Sequence, residues 1–106
     1  MYLRHILESV RRIEENADGG REAFLASEIR QDAILRNLQT MAEATQRLSA
    51  DCKRLQPTVD WRAVAGFRNV LVHNYLGIDL EQIWSVITND VPGLKAAATA
   101  LLSPEP

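Results

Sequence analysis

The stretch WRAVAGFRNVLVHNY, residues 61–75, decides how the chain is read. Advancing about 100° per residue, as an α-helix does, brings Trp61, Val64, Ala65, Phe67, Leu71, Val72 and Tyr75 onto one broad apolar arc. Asp60 can cap this helix, and Gly77 and Asp79 make the turn after it. Arg68 falls inside the apolar arc. A guanidinium on a core-facing stripe costs several kcal/mol unless it is paired or faces a solvated cleft, so it calls for a partner or a task. His73 follows five residues later, roughly 140° around the helix, so the two side chains do not stack. Three routes would let them meet: the arginine stem reaches around, the helix unwinds near Asn74 and Gly77, or a second subunit brings its own copy. Gly66 lies one heptad before His73, with Asn69 near it, so two such helices could approach closely across a two-fold axis.

Working outward, residues 2–16 carry Leu3, Ile6, Leu7, Val10 and Ile13 at amphipathic helical spacing, with Ala17 continuing the face. Asp18-Gly19-Gly20 ends that helix. A second helical stretch runs from about Glu22 to Ser49 with a break near Ser27. Its buried side is expected to be Ile29, Ile34, Leu38, Met41, Thr45 and Leu48, with Leu35 and Ala42 beside them, forming a long antiparallel hairpin with the first. Residues 50–60 read as one long connection marked by Pro57. After the helix at 61–74, Asp79 caps a fourth with Leu80, Ile83, Trp84 and Ile87 on one face, and Pro92 opens a fifth with Leu94, Ala98 and Leu101 inward. No stretch joins β-branched alternation to hairpin turns, so the expectation is an all-α, up-and-down bundle of about five helices, with residues 1–106 one domain.

The stretch Arg68, Asn69, His73 and Tyr75 resembles the Arg-x4-His-x-Tyr motif of the HepT-like toxins, a branch of the HEPN superfamily. Trp61, Gly66-Phe67-Arg68-Asn69, Ile78-Asp79, Trp84 and Pro92-Gly93-Leu94 also look like that family. So do Asp32-Ala33-Ile34-Leu35-Arg36-Asn37-Leu38 and Glu43-Ala44, so the likeness covers nearly the whole chain. One departure is Ala42-Glu43-Ala44, where family members often carry Gly-Glu-Ala. The resemblance implies a HEPN-like bundle acting as a homodimer, with Arg68 and His73 as a ribonuclease pair in the dimer cleft, toxic when unrestrained and with transfer RNA as a target. It also implies a partner, a minimal nucleotidyltransferase antitoxin of the MntA type that transfers AMP from ATP to the motif tyrosine, here Tyr75.

The residues themselves fit that chemistry. Histidine has a reference pKa of about 6.5, so it can take a proton from a ribose 2′-hydroxyl or give one to a departing 5′-oxygen. Arginine stays charged and presents a planar fork to phosphate, stabilising the charge that builds on the phosphoryl oxygens. Asn69 and Asn74 are candidates for orienting the histidine or capping the helix end. Blander readings stand beside these. Arg68 could form a structural ion pair with Glu43 or Asp32, and Tyr75 could be a core aromatic. The whole could be a non-catalytic module that binds a nucleotide or holds a nucleotidyltransferase partner.

Composition narrows the field further. A net charge of −2 and ten arginines scattered among two lysines argue against a general RNA-binding surface, while leaving room for a small positive cleft. The only histidines, His5 and His73, and the single Cys52 offer no zinc-ligand spacing, and Gly19-Gly20 is not followed by the Lys-Ser/Thr of a phosphate loop. No cofactor is therefore expected. Nor is there an apolar run near the ~18 residues of a membrane helix or a signal-peptide core, which predicts a cytoplasmic protein.

Overall fold

A computed structural model of the chain describes residues 2–73 and 77–102. Seven helices are present among them: α1 (Tyr2–Ala17), α2 (Gly20–Ala26), α3 (Glu28–Gln46), α4 (Ala50–Arg54), α5 (Trp61–His73), α6 (Leu80–Asn89) and α7 (Val91–Leu102). The described residues contain no strand, so the all-α expectation is met. The helix count is corrected from five to seven, and each extra helix has a local cause.

The first cause is at Gly20, whose φ of +89° is open to glycine but strained for a residue with a side chain. Next to it, a Cβ on Gly19 would sit 2.7 Å from the Ala23 Cβ and 2.8 Å from the Arg30 Nη1. The two glycines thus permit a tight reversal that turns α1 into α2. Ser27 then separates α2 from α3: its Oγ accepts from the Arg30 N–H at 3.1 Å. The Gln31 side chain donates to the Phe24 and Leu25 carbonyls at 3.0 and 3.1 Å, adding to the Ser27 N–H that already bonds the Phe24 carbonyl at the end of α2. The second cause lies in the 50–60 connection, where Ser49 Oγ accepts from the Cys52 N–H at 3.0 Å and nucleates the short α4. The Trp61 indole N–H pins this segment, shared between the carbonyls of Lys53 and Gln56 at 3.1 Å each.

The antiparallel pair α1 and α3 forms the centre of the bundle. Ile6, Val10 and Ile13 from α1 meet Ile34, Leu38 and Met41 from α3, and all are buried. α5 packs on the α3 side and α7 on the α1 side, while α6 joins α7 to α2. Phe24 closes the α2 end of the core, fully buried and 5.5 Å from the Trp84 ring. Lys95 on α7 and Glu14 on α1 add a surface pair at 3.0 Å. Ile29 corrects the expected buried face of α3: it is 82% exposed. It precedes Ile34 by five residues, about 140° around the helix, and α2 rather than the first turn of α3 covers the core there. No helix among the described residues is long and apolar enough to cross a membrane.

Candidate functional site

α5 begins where Asp60 Oδ1 accepts from the Ala63 N–H at 3.0 Å. Its inner side follows the sequence periodicity only in part. Leu71 is buried, and Trp61 and Phe67 pack half-buried against the core, but Val72, expected on the same arc, is 38% exposed. Val70 is more open still, at 48%. Arg62, Gly66, Asn69 and His73, spaced by four, three and four residues, form an exposed stripe on the side of α5 away from α3. A Cβ placed on Gly66 would meet nothing within 4 Å, so the stripe is open in the protomer. Val70 and Val72 flank it on opposite sides. An α5 with one fully buried residue and two exposed valines is a helix whose outer face is uncovered in a single copy.

Arg68 sits between the two faces. Its Nη2 donates to Glu43 Oε2 on α3 at 3.3 Å, and its Nη1 donates to Asn69 Oδ1 at 3.4 Å. Gln39, one turn before Glu43, donates to the same carboxylate oxygen at 3.4 Å. The Arg68 Nε is buried and has no hydrogen-bond partner among the described residues. Of the two carboxylates considered as structural partners for Arg68, the structure places Glu43 there. With Arg68 and Glu43 side chains 31% and 44% exposed, this is a partly solvated pair and not a sealed core ion pair.

His73 ends the described part of α5 and is exposed. No hydrogen bond links it to Arg68, from which an ideal helix sets it about 7.5 Å along and 140° around the axis. Asn69 is exposed beside Arg68. Asn74 and Tyr75 lie outside the described residues. Sequence reasoning did not pick out Gln39, whose four-residue spacing from Glu43 is a usable signal only once α5 is known to cross α3 at that level. His5 is exposed on α1, edge-on to the Tyr2 ring at 6.2 Å. No three His, Cys, Asp or Glu side chains among the described residues gather closely enough to hold a metal ion.

A concavity of about 390 Å³ lies between α5 and the α6–α7 junction. Its floor includes Met41, Phe67, Val86 and Leu94 and its rim Asp60 and Asp90; neither Arg68 nor His73 lines it. A clear electrostatic shift lies away from this site, on α1. The Arg11 and Arg12 guanidiniums beside Glu8 hold its carboxyl down at about 2.

The family model described as "Ribonuclease HepT-like" matches residues 6–101, which take in Arg68, Asn69, His73 and Tyr75. The chain belongs to the HepT-like ribonuclease family. It is 37% identical over 95 residues to a protein of Thermococcus cleftensis described as "Probable ribonuclease HepT", covering 89% of this chain and 86% of that one. It is 34% identical to the Methanocaldococcus jannaschii "Putative RNase MJ1380", over 89% of this chain and 87% of that one. A longer protein of the same organism, "Gamma-glutamylcyclotransferase and putative RNase MJ0434", is 35% identical over 90% of this chain but only 43% of its own length. The HepT-like chain thus spans under half of that relative. No solved structure gives a match.

Proposed function

We propose that this HepT-like chain is the toxin of a toxin–antitoxin pair, a metal-independent endoribonuclease whose site forms where two α5 helices meet. The observation that carries the reading is that His73 stands on an exposed stripe of α5 while Arg68, joined to it by no hydrogen bond, sits beside that stripe on the same helix. A two-fold axis along the Arg62, Gly66, Asn69, His73 stripe brings two histidines and two arginines into one cleft. One imidazole removes the ribose 2′-hydroxyl proton, and the 2′-oxygen attacks the adjacent phosphorus. The bond to the 5′-oxygen breaks, and that oxygen takes a proton from the second imidazole. Arg68 stabilises the negative charge on the phosphoryl oxygens. The products are a 2′,3′-cyclic phosphate and a 5′-hydroxyl.

Restraint falls to Tyr75. A nucleotidyltransferase antitoxin of the MntA type would direct the Tyr75 phenol oxygen to the α-phosphorus of ATP, releasing pyrophosphate and leaving AMP on the ring. Two residues from His73, an added phosphate would pair with Arg68 and repel an RNA backbone. Names of relatives as ribonucleases support the RNA substrate class, and transfer RNA is the substrate to try first.

The test is incubation of purified protein, shown by intact mass to be unmodified at Tyr75, with total transfer RNA in EDTA. Fragments ending in 2′,3′-cyclic phosphate support the nuclease. Intact RNA would favour the binding-module reading, for which the acidic net charge of −2 speaks.

A further inference from the structure

Arg68 is held, but loosely. Its two polar contacts, to Glu43 and Asn69, are 3.3 and 3.4 Å long, near the outer limit for a hydrogen bond, and its Nε has no partner among the described residues. Glu43 is itself steadied by Gln39 from the preceding turn of α3. At 31% and 44% exposure the ion pair adds little to folding stability, so stability does not account for it. An arginine stem has many rotamers, and a fork that must meet a phosphate at the right moment gains from being tied to a rigid neighbour. α3 is that neighbour, the helix on which α5 packs.

We propose that Glu43, backed by Gln39, is a positioning residue for the Arg68 guanidinium: it holds Nη2 against α3 and leaves the outer N–H groups of the fork to the RNA phosphate. The carboxylate has a second effect. Its negative charge next to Arg68 weakens the hold on the phosphate before reaction, so aim is gained at the expense of ground-state affinity. This inference rests on the assignment of Arg68 to the phosphate.

The experiment is the Glu43→Gln variant, which keeps the shape and an acceptor oxygen but removes the charge. The melting temperature should stay within about 5 °C of wild type, since the pair is exposed. The expected kinetic signature is a kcat lower by roughly tenfold to a hundredfold from loss of aim, together with a lower KM from the added net positive charge. A variant that was only partly folded would show a reduced kcat with the KM unmoved. A second readout is independent of catalysis: the Arg68 Nε–H signal in a proton–nitrogen spectrum, identified by its loss in Arg68→Lys, should shift in Glu43→Gln. Unchanged kcat and KM in a wild-type-like fold overturn the proposal, and so does an unmoved Nε–H signal. If wild-type protein cleaves no RNA, the nuclease reading fails on its own account, and the Nε–H signal alone decides whether Glu43 aims Arg68.

Discussion

Replacing Val70 and Val72 together by serine should separate the proposed dimer. Both lie on the uncovered side of α5, 48% and 38% exposed. Full burial of a valine side chain is worth about 1.5–2 kcal/mol, so covering what remains open on these two contributes about 1.5 kcal/mol per protomer. A two-fold interface uses each residue twice, which raises the loss to about 3 kcal/mol, or about a hundredfold in the dimer dissociation constant. The fold should survive, because neither valine is in the core and valine and serine have similar helix propensities. Sedimentation equilibrium over a range of concentrations, with circular dichroism as the check on helix content, reads this directly. Wild-type protein should shift from one copy to two as concentration rises, and the double variant should make that shift at roughly a hundredfold higher concentration. The reasoning is refuted if the wild type sediments as one copy throughout, or if the two proteins give the same curve while both remain helical.

Two other outcomes follow from the fold. Phe24→Ala, at a fully buried site against Trp84, should lower unfolding stability by about 3–5 kcal/mol in urea denaturation; a loss under about 1 kcal/mol would mean that α2 does not close the core. Glu8 should add acid sensitivity: its carboxyl is lowered from 4.5 to about 2 by hydrogen bonds from Arg11 and Arg12, so the unfolded chain binds the extra proton first as pH falls. The stabilisation is present above pH 4.5 and is lost as pH drops toward 2; because the pair is exposed, the difference in melting temperature between wild type and Glu8→Gln should be small at neutral pH, within about 5 °C, and vanish near pH 2.

Much of this architecture is legible in the residues because helices advertise their inner faces. Ile6, Val10 and Ile13 recur at helical spacing and are buried where expected, and Ser27 marks the break that its Oγ enforces. α4 escapes the same reading because five residues are too few to show a period; only Ser49 as a cap hints at it. Ile29 shows the limit of pattern reasoning, since an apolar residue in a first turn looks like core until the chain before it turns away. On α5 the period reveals a helix but not what covers it: Val72 belongs to the apolar arc and is still open to solvent. The motif makes Arg68 and His73 visible at once. That Glu43 is the Arg68 partner could only be offered beside Asp32, because the choice depends on the level at which α5 crosses α3, and residue spacing along each helix does not encode that level.

The most direct test of the account is cleavage of total transfer RNA in EDTA by unmodified wild-type protein beside Arg68→Ala and His73→Ala. The account predicts fragments with 2′,3′-cyclic phosphate ends from the wild type and a loss of at least about a hundredfold in each variant, as expected when a general acid–base or a charge-stabilising group is removed. Cleavage that persists in either variant, or that disappears from the wild type when the metal is chelated, would contradict it.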